Sequence, residues 1–239
     1  VAQTQAYVIT TLLEPATSTA LLTLEDIKEE LSIPDSSTAD DDWYQNKVIP
    51  QVSRQIQLYC NRQFGIVKLQ DEFRADQGWR YGAIVRSFQN PLRTSRWPVN
   101  RIESITETLL TTSTVLTEGI DFEVDYDDGE LYRLNSTYRE PRDWPADKVV
   151  VVYYSGYLLP GDTPPDDMDI DPLPDDISQA AIRLATNRIK NRGRDPMLME
   201  FDQPQIGRKR YWVGTPPMRG NMPEELASIL DNYRTAVVA

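Results

Sequence analysis

The residue types that most often carry chemistry are thinly represented. The 239-residue chain has no histidine and one cysteine, Cys60. That removes the commonest general base, the commonest zinc ligand and every Ser-His or Cys-His nucleophile pair. Carboxylates are left. Asp167, Asp169 and Asp171 have the alternate spacing that opens a calcium loop, but Pro172 stands where the glycine belongs and Ser178 where a bidentate glutamate belongs. Asp121, Glu123 and Asp125 read as one face of a strand leading into a turn. Glycoside hydrolysis needs two carboxyls in contrasting environments, and 37 acids supply such pairs by chance. Gly193, Gly207, Gly214 and Gly220 open no helix, so no phosphate loop is expected. The expectation is a protein without catalytic activity, metal or cofactor.

Binding chemistry is better represented. Residues Gly193 to Met222 carry four prolines and four glycines and have no helical period, with helical patterns on both sides. A long structureless connection inside a compact domain is uncommon and usually binds something. Arg208, Lys209, Arg210, Tyr211 and Trp212 form one block in this arm, cations beside the aromatic anchors that interfaces favour. Arg183, Arg188, Lys190, Arg192 and Arg194 crowd the helical pattern just before it. Interaction with the helix C-terminal dipole is their ordinary role. The other is a basic stripe facing an acidic neighbour, such as the loop Gly161 to Asp176, whose seven aspartates include Asp166, Asp167 and Asp169. Such charges set register and partner choice.

Net charge is −12, while Arg183 to Arg219 is locally +6, which leaves −18 on the remainder. A body this acidic repels phosphate backbone, so gripping DNA is not expected. No apolar run approaches the ~18 residues of a membrane span, and Val1 to Ala20 has no basic start followed by an apolar run. Neither membrane insertion nor secretion is expected. A lone cysteine, placed as a small buried hydrophobe, fits a reducing compartment.

These residues need elements to hold them. Val1 to Leu22 shows no period and reads as a frayed or partner-ordered end. Thr23 opens a helix with Asp26 three residues on, Leu24, Ile27 and Leu31 facing inward, and Pro34 after it. A longer pattern from about Asp41 to Arg62 puts Val48, Val52, Ile56 and Tyr59 on one stripe, with Pro50 set to kink or split it. At Gly65 the period changes to two, with Val67, Leu69, Asp71 and Phe73 on one side. Further strands are expected at Ala83 to Phe88, Arg101 to Leu109, Phe122 to Tyr126, Glu130 to Leu134 and Lys148 to Tyr154. Asp127-Asp128-Gly129 joins two of them as a hairpin. Val149 to Val152, apolar on both faces, marks the most central strand. Helix returns over Pro174 to Arg192, with Ile177, Ala180, Ala181, Leu184 and Ala185 as a narrow stripe. A last helix follows Pro223, with Leu226, Ile229, Leu230 and Tyr233 inward. The predicted fold is α+β: a helical bundle from residues 1–65 and 174–239, a small antiparallel β unit inserted at 66–157, an acidic loop at 158–173 and an extended arm at 193–222.

Taken together, these segments resemble the head-tail adaptor (connector) proteins of tailed bacteriophages and gene transfer agents. The matching stretches are LTLEDIKEELSI (Leu22 to Ile33), VIPQVSRQIQLYCNRQFG (Val48 to Gly65), WPVNRIESIT (Trp97 to Thr106) and LTEGIDFEVDYDDGELYRL (Leu116 to Leu134). WPADKVVVVYYSGY (Trp144 to Tyr157), LPDDISQAAIRLATNRIKNRGRDP (Leu173 to Pro196), IGRKRYWVG and PEELASILDNYR complete them. The resemblance implies a ring of twelve copies under the portal, in the virion neck, assembled in the host cytoplasm. It further implies contact with portal and with a tail or neck protein below, and DNA passing through an acidic lumen without specific binding. It makes Arg208, Lys209, Arg210, Tyr211 and Trp212 the expected portal or subunit contacts. The large β insertion and long Pro/Asp loop depart from shorter members. Two other classes stand beside this one. A carboxylate- or metal-dependent hydrolase would melt higher with calcium or magnesium. A monomeric binding module built on the β unit would stay monomeric at high concentration.

Overall fold

A computed structural model describes residues 7–74, 78–80, 83–85, 88–164, 168, 170–192, 200–203, 207–210, 218–219 and 222–234. In chain order the first elements are β1 (Tyr7–Glu14), α1 (Leu24–Glu30), α2 (Asp41–Trp43), a π-helical segment (Tyr44–Val48) and α3 (Ile49–Cys60). Strands follow: β2 (Val67–Arg74), β3 (Gly78–Arg80), β4 (Ala83–Val85), β5 (Leu92–Arg93), β6 (Val99–Leu109), β7 (Thr112–Val115), β8 (Phe122–Asp125), β9 (Glu130–Arg133) and β10 (Lys148–Ser155). The C-terminal part holds α4 (Asp175–Lys190), β11 (Glu200–Gln203), β12 (Gly207–Arg210), β13 (Met218–Arg219), β14 (Met222–Pro223) and α5 (Glu224–Leu230), then a 3-10 turn at Asp231–Tyr233.

The architecture is mainly antiparallel β. It overturns the expected helical bundle with a small β insertion. Two physical reasons account for this. The helices α1 and α5 have only seven residues each, about two turns, and bury short stripes. The N-terminal stretch, expected to fray, instead supplies β1, which pairs with β2 from Tyr7↔Arg74 to Glu14↔Lys68. The chain divides into two compact units. One is the β unit, built from Gly65–Leu158 with Asp162–Asp171 and the N-terminal stretch through Ser18. The other holds the helices.

In the β unit the principal sheet runs β1-β2-β10-β6-β7, and a three-stranded sheet runs β5-β9-β8. The alternation from Val67 is real: Val67, Leu69, Asp71 and Phe73 are buried, while the residues between them are half-buried. Strand β10 is central, as its two-faced apolar run predicts. Val149, Val151 and Tyr153 are fully buried on the core face, and Val150, Val152 and Tyr154 are half-buried behind them. Phe73, Ile105, Leu131, Trp144 and Val151 belong to one continuous core. The Asp127-Asp128-Gly129 turn joins β8 to β9, with Gly129 at φ 68° where side chains are disfavoured. Gly156 is also constrained. It lies at φ 129°, and a Cβ there would run into the backbone of Gly65, beside the bridge between Gly65 and Tyr157.

The helical unit follows its local signals. Thr23 caps α1 reciprocally: its Oγ1 accepts from the Asp26 amide at 3.2 Å, and the Asp26 carboxylate accepts from the Thr23 amide at 2.7 Å. The expected break at Pro50 takes the form of a π-helical turn ahead of α3, with Pro50 in the first turn of α3 where its missing N–H costs nothing. Asn61, at φ 51°, ends α3. Helix α4 packs against α1, α3 and α5. Its predicted stripe, Ile177, Ala180, Ala181, Leu184 and Ala185, is buried throughout. Leu21 and Leu22, read as part of a frayed end, are among the most buried residues. Among the described residues, no helix is long and apolar enough to cross a membrane.

Candidate assembly surface

Helix α4 buries a stripe of mostly small residues and gathers its cations toward its C-terminal half. The alanines let neighbouring helices approach closely. Arg183, Arg188 and Lys190, with Arg192 just past the helix end, are exposed. Arg192 is held within its own subunit. Its guanidinium lies 4.1 Å from the Trp43 ring centroid and 2.6 Å from the Asp40 carboxylate. Nearby, the buried Lys28 ammonium meets Asp41 at 2.8 Å. Burial, helped by Asp40, raises the Tyr44 phenol above its ordinary pKa, so its hydroxyl stays protonated. The residues before the π turn thus brace the basic end of α4.

Glu30, Arg183, Asn187, Glu225 and Leu226 line a cleft of about 260 Å³. That falls below the ~300 Å³ at which small-molecule pockets begin, and its lining mixes both charges with Leu226 and Pro223.

Of the arm residues, Arg208, Lys209 and Arg210 lie on β12. That strand pairs with β11 in the register Glu200↔Arg210, Phe201↔Lys209 and Asp202↔Arg208. The arm therefore contains short hairpins where no element was expected, and its end, Met222, is fully buried. Tyr211, Trp212, Arg194, Asp166, Asp167 and Asp169 lie outside the described residues. Asp171 of the acidic loop is exposed, as are Asp175 and Asp176, which form the first turn of α4.

The structure brings together buried polar groups that the sequence reading did not assign. Asp71 is fully buried on the core face of β2. It accepts hydrogen bonds from the Ser95 amide (2.7 Å), the Ser95 hydroxyl (2.8 Å) and the Tyr153 hydroxyl (2.8 Å). Desolvation, followed by the Asp71 charge, raises the Tyr153 phenol far above its ordinary value. With three donors on its carboxylate, Asp71 ties β2 to β10 and to the segment after β5. Its signal was present as an acid on an otherwise apolar strand face. Arg133 and Glu107 form a second buried pair, at 3.1 and 3.4 Å, and the Arg133 guanidinium also donates to the Asp121 carbonyl (2.6 Å) and the Leu134 carbonyl (2.9 Å). Asp121 therefore works in this network, while Glu123 and Asp125 stay at the surface. Cys60 is fully buried against the α5 carbonyl of Leu230, and burial pushes its thiol up to about 11. It packs as a hydrophobe. Among the described residues no cluster of His, Cys, Asp or Glu suits a metal ion.

No protein-family model matches the sequence, and no curated protein does. Solved structures similar in outline include chains from two gene transfer agent particles. A chain from the "neck of empty GTA particle computed with C6 symmetry" aligns over 97% of each chain at 13% identity and a TM-score of 0.49. A chain from the "virion of native gene transfer agent (GTA) particle" aligns over 97% of each at 14% identity and a TM-score of 0.45. At these scores the likeness assigns no role.

Proposed function

We propose that this chain is a non-catalytic structural protein of a phage-like particle. It acts as a head-tail adaptor that forms a ring under the portal and joins the capsid to the next neck or tail protein. One observation carries the reading: the stretches that resemble adaptor proteins coincide with folded elements and sort cleanly by unit. LTLEDIKEELSI is α1 with its complete cap, the stretch from Val48 contains α3, that from Leu173 contains α4, and PEELASILDNYR is α5 with its 3-10 turn. All four lie in the helical unit, with α4 touching the other three, while the stretches from Trp97, Leu116 and Trp144 build the β unit.

The charge distribution suits the role. A chain of net −12 offers DNA a repelling wall along which it slides without sticking. The exposed cations Arg188 and Lys190 set register against a neighbouring subunit's acidic loop, which includes Asp166, Asp167 and Asp169. Arg208, Lys209, Arg210, Tyr211 and Trp212 reach portal or neighbour, with the aromatics as anchors.

The test is to mix the purified chain with the portal ring of the same particle and image it by negative-stain microscopy. Stacked rings are expected, with trypsin cleavage at Arg208 to Arg210 suppressed on assembly. The double change Arg188→Glu/Lys190→Glu should weaken association in a salt-dependent way. A chain that stays monomeric at high concentration and leaves the portal bare would overturn the proposal.

A further inference from the structure

Strands β1 and β7 are the two edges of the five-stranded sheet. Every side chain of both is exposed. Tyr7 (53%), Val8 (40%), Ile9 (46%), Leu12 (49%) and Leu13 (44%) mark one edge; Val115 (68%) lies on the other, with Leu109 (42%) and Leu110 (68%) at the β6–β7 turn beside it. These eight are most of the exposed large hydrophobics among the described residues. Val8 and Leu12 stand in register with Phe73 and Leu69, so the core layer runs out past the end of the sheet. Open edges are normally blunted by charge, proline or an inward lysine. Here β7 carries no charge, and the single acid of β1, Glu14, lies at its end, 3.4 Å from Lys68, which also pairs with Glu103 at 2.7 Å. In a chain of net −12 these sparsely charged seams are where two copies meet with least repulsion.

We infer that copies of this chain join head to tail, the β1 edge of one pairing with the β7 edge of the next, so that the principal sheet continues from subunit to subunit. The inference rests on the self-assembly part of the proposed function and not on portal binding. The topology also fixes the strand direction. Every neighbouring pair from β1 through β2, β10 and β6 to β7 is antiparallel, so β1 and β7 run the same way. Neighbours in a ring of many copies are related by a small rotation, which preserves that direction and makes the seam parallel. A two-fold β1-to-β1 contact would instead be antiparallel and would leave Leu109, Leu110 and Val115 uncovered. Each head-to-tail contact uses one of each edge and propagates until the rotation closes.

Cys60 is the sole cysteine and is buried, so introduced thiols report alone. A short bifunctional maleimide is applied to Val8→Cys/Thr112→Cys and Leu12→Cys/Val115→Cys, which place matching ends together. The crossed pairs Val8→Cys/Val115→Cys and Leu12→Cys/Thr112→Cys serve as controls. The matching pairs should give a ladder of multimers on a denaturing gel, at least ten-fold above the crossed pairs. Ile9→Lys/Val115→Lys, both at exposed positions, should retain the wild-type circular dichroism spectrum and drop in molar mass by light scattering. Dimers from Val8→Cys alone, predominance of crossed pairs, or lysine variants of unchanged mass would each overturn the inference. An oligomer that gives no cross-link would sink the edge pairing while leaving self-assembly standing. A monomer under all conditions would sink both.

Discussion

Strands β10 and β1 are each eight residues long, and apolar residues make up five of eight in YVITTLLE and six in KVVVVYYS. Yet β10 buries every second residue completely, and β1 buries none. Both pair with β2, one on each side. The difference is topological: β10 has strands on both flanks and a core beneath it, while β1 has one flank and no layer over its side chains. Apolar content alone does not place a strand in a core. In β10 it contributes to the monomer's stability, whereas in β1 it is available for association.

The largest expected effect lies at the closed side of that contrast. Arg133→Ala leaves Glu107 buried without its ionic partner and should cost about 3–5 kcal/mol in denaturant unfolding. A loss below about 1 kcal/mol would mean that water reaches the pair. Val151→Ala on β10 removes fully buried methyls and should cost about 2–3 kcal/mol. The helical unit offers a pH test. The Cys60 thiol is raised from 9.0 to about 11, so the native state holds its proton more tightly than the unfolded chain does. That stabilisation is complete below pH 9 and is lost as pH rises to about 11, a fall of up to about 2–3 kcal/mol. Cys60→Ala should flatten the melting curve over that window relative to wild type, and an unchanged slope would show that the thiol is not the titrating group. The smallest effect belongs to the open edge. Val8→Ala should change monomer stability by less than about 0.5 kcal/mol. Equal losses for Val8→Ala and Val151→Ala would abolish the contrast between the two strands.

What could be read from sequence was whatever local chemistry dictates. Thr23 with Asp26 announced a capped helix, Asp128-Gly129 a tight turn, and the valines from Val149 a strand covered on both sides. The two seven-residue helices misled in the other direction: their periodic residues are genuine, but helical pattern does not measure how much core a segment closes. Tyr7–Glu14 escaped because an edge strand exposed on both faces carries no alternation to detect. The hairpins of the arm escaped because strands of two to four residues are too short for any period. The Arg133–Glu107 pair was invisible for a different reason: a charged residue reads as solvated until a partner 26 positions away is brought beside it. The cations of α4 were recognised as a group, but the hold of Trp43 and Asp40 on Arg192 depends on a fold that joins positions about 150 residues apart.

Gly65 and Tyr157 are bridged at the base of the β unit, with Gly156 shaped so that the two backbones can touch. Adjacent strands lie ~5 Å apart, so nearly a hundred residues leave and rejoin the chain through a gap that two or three amino acids can span. A longer or shorter cassette could therefore be closed by the same two chain ends without stretching the backbone on either side. The N-terminal strand is the constraint on such a change, since any replacement cassette must still offer it a partner.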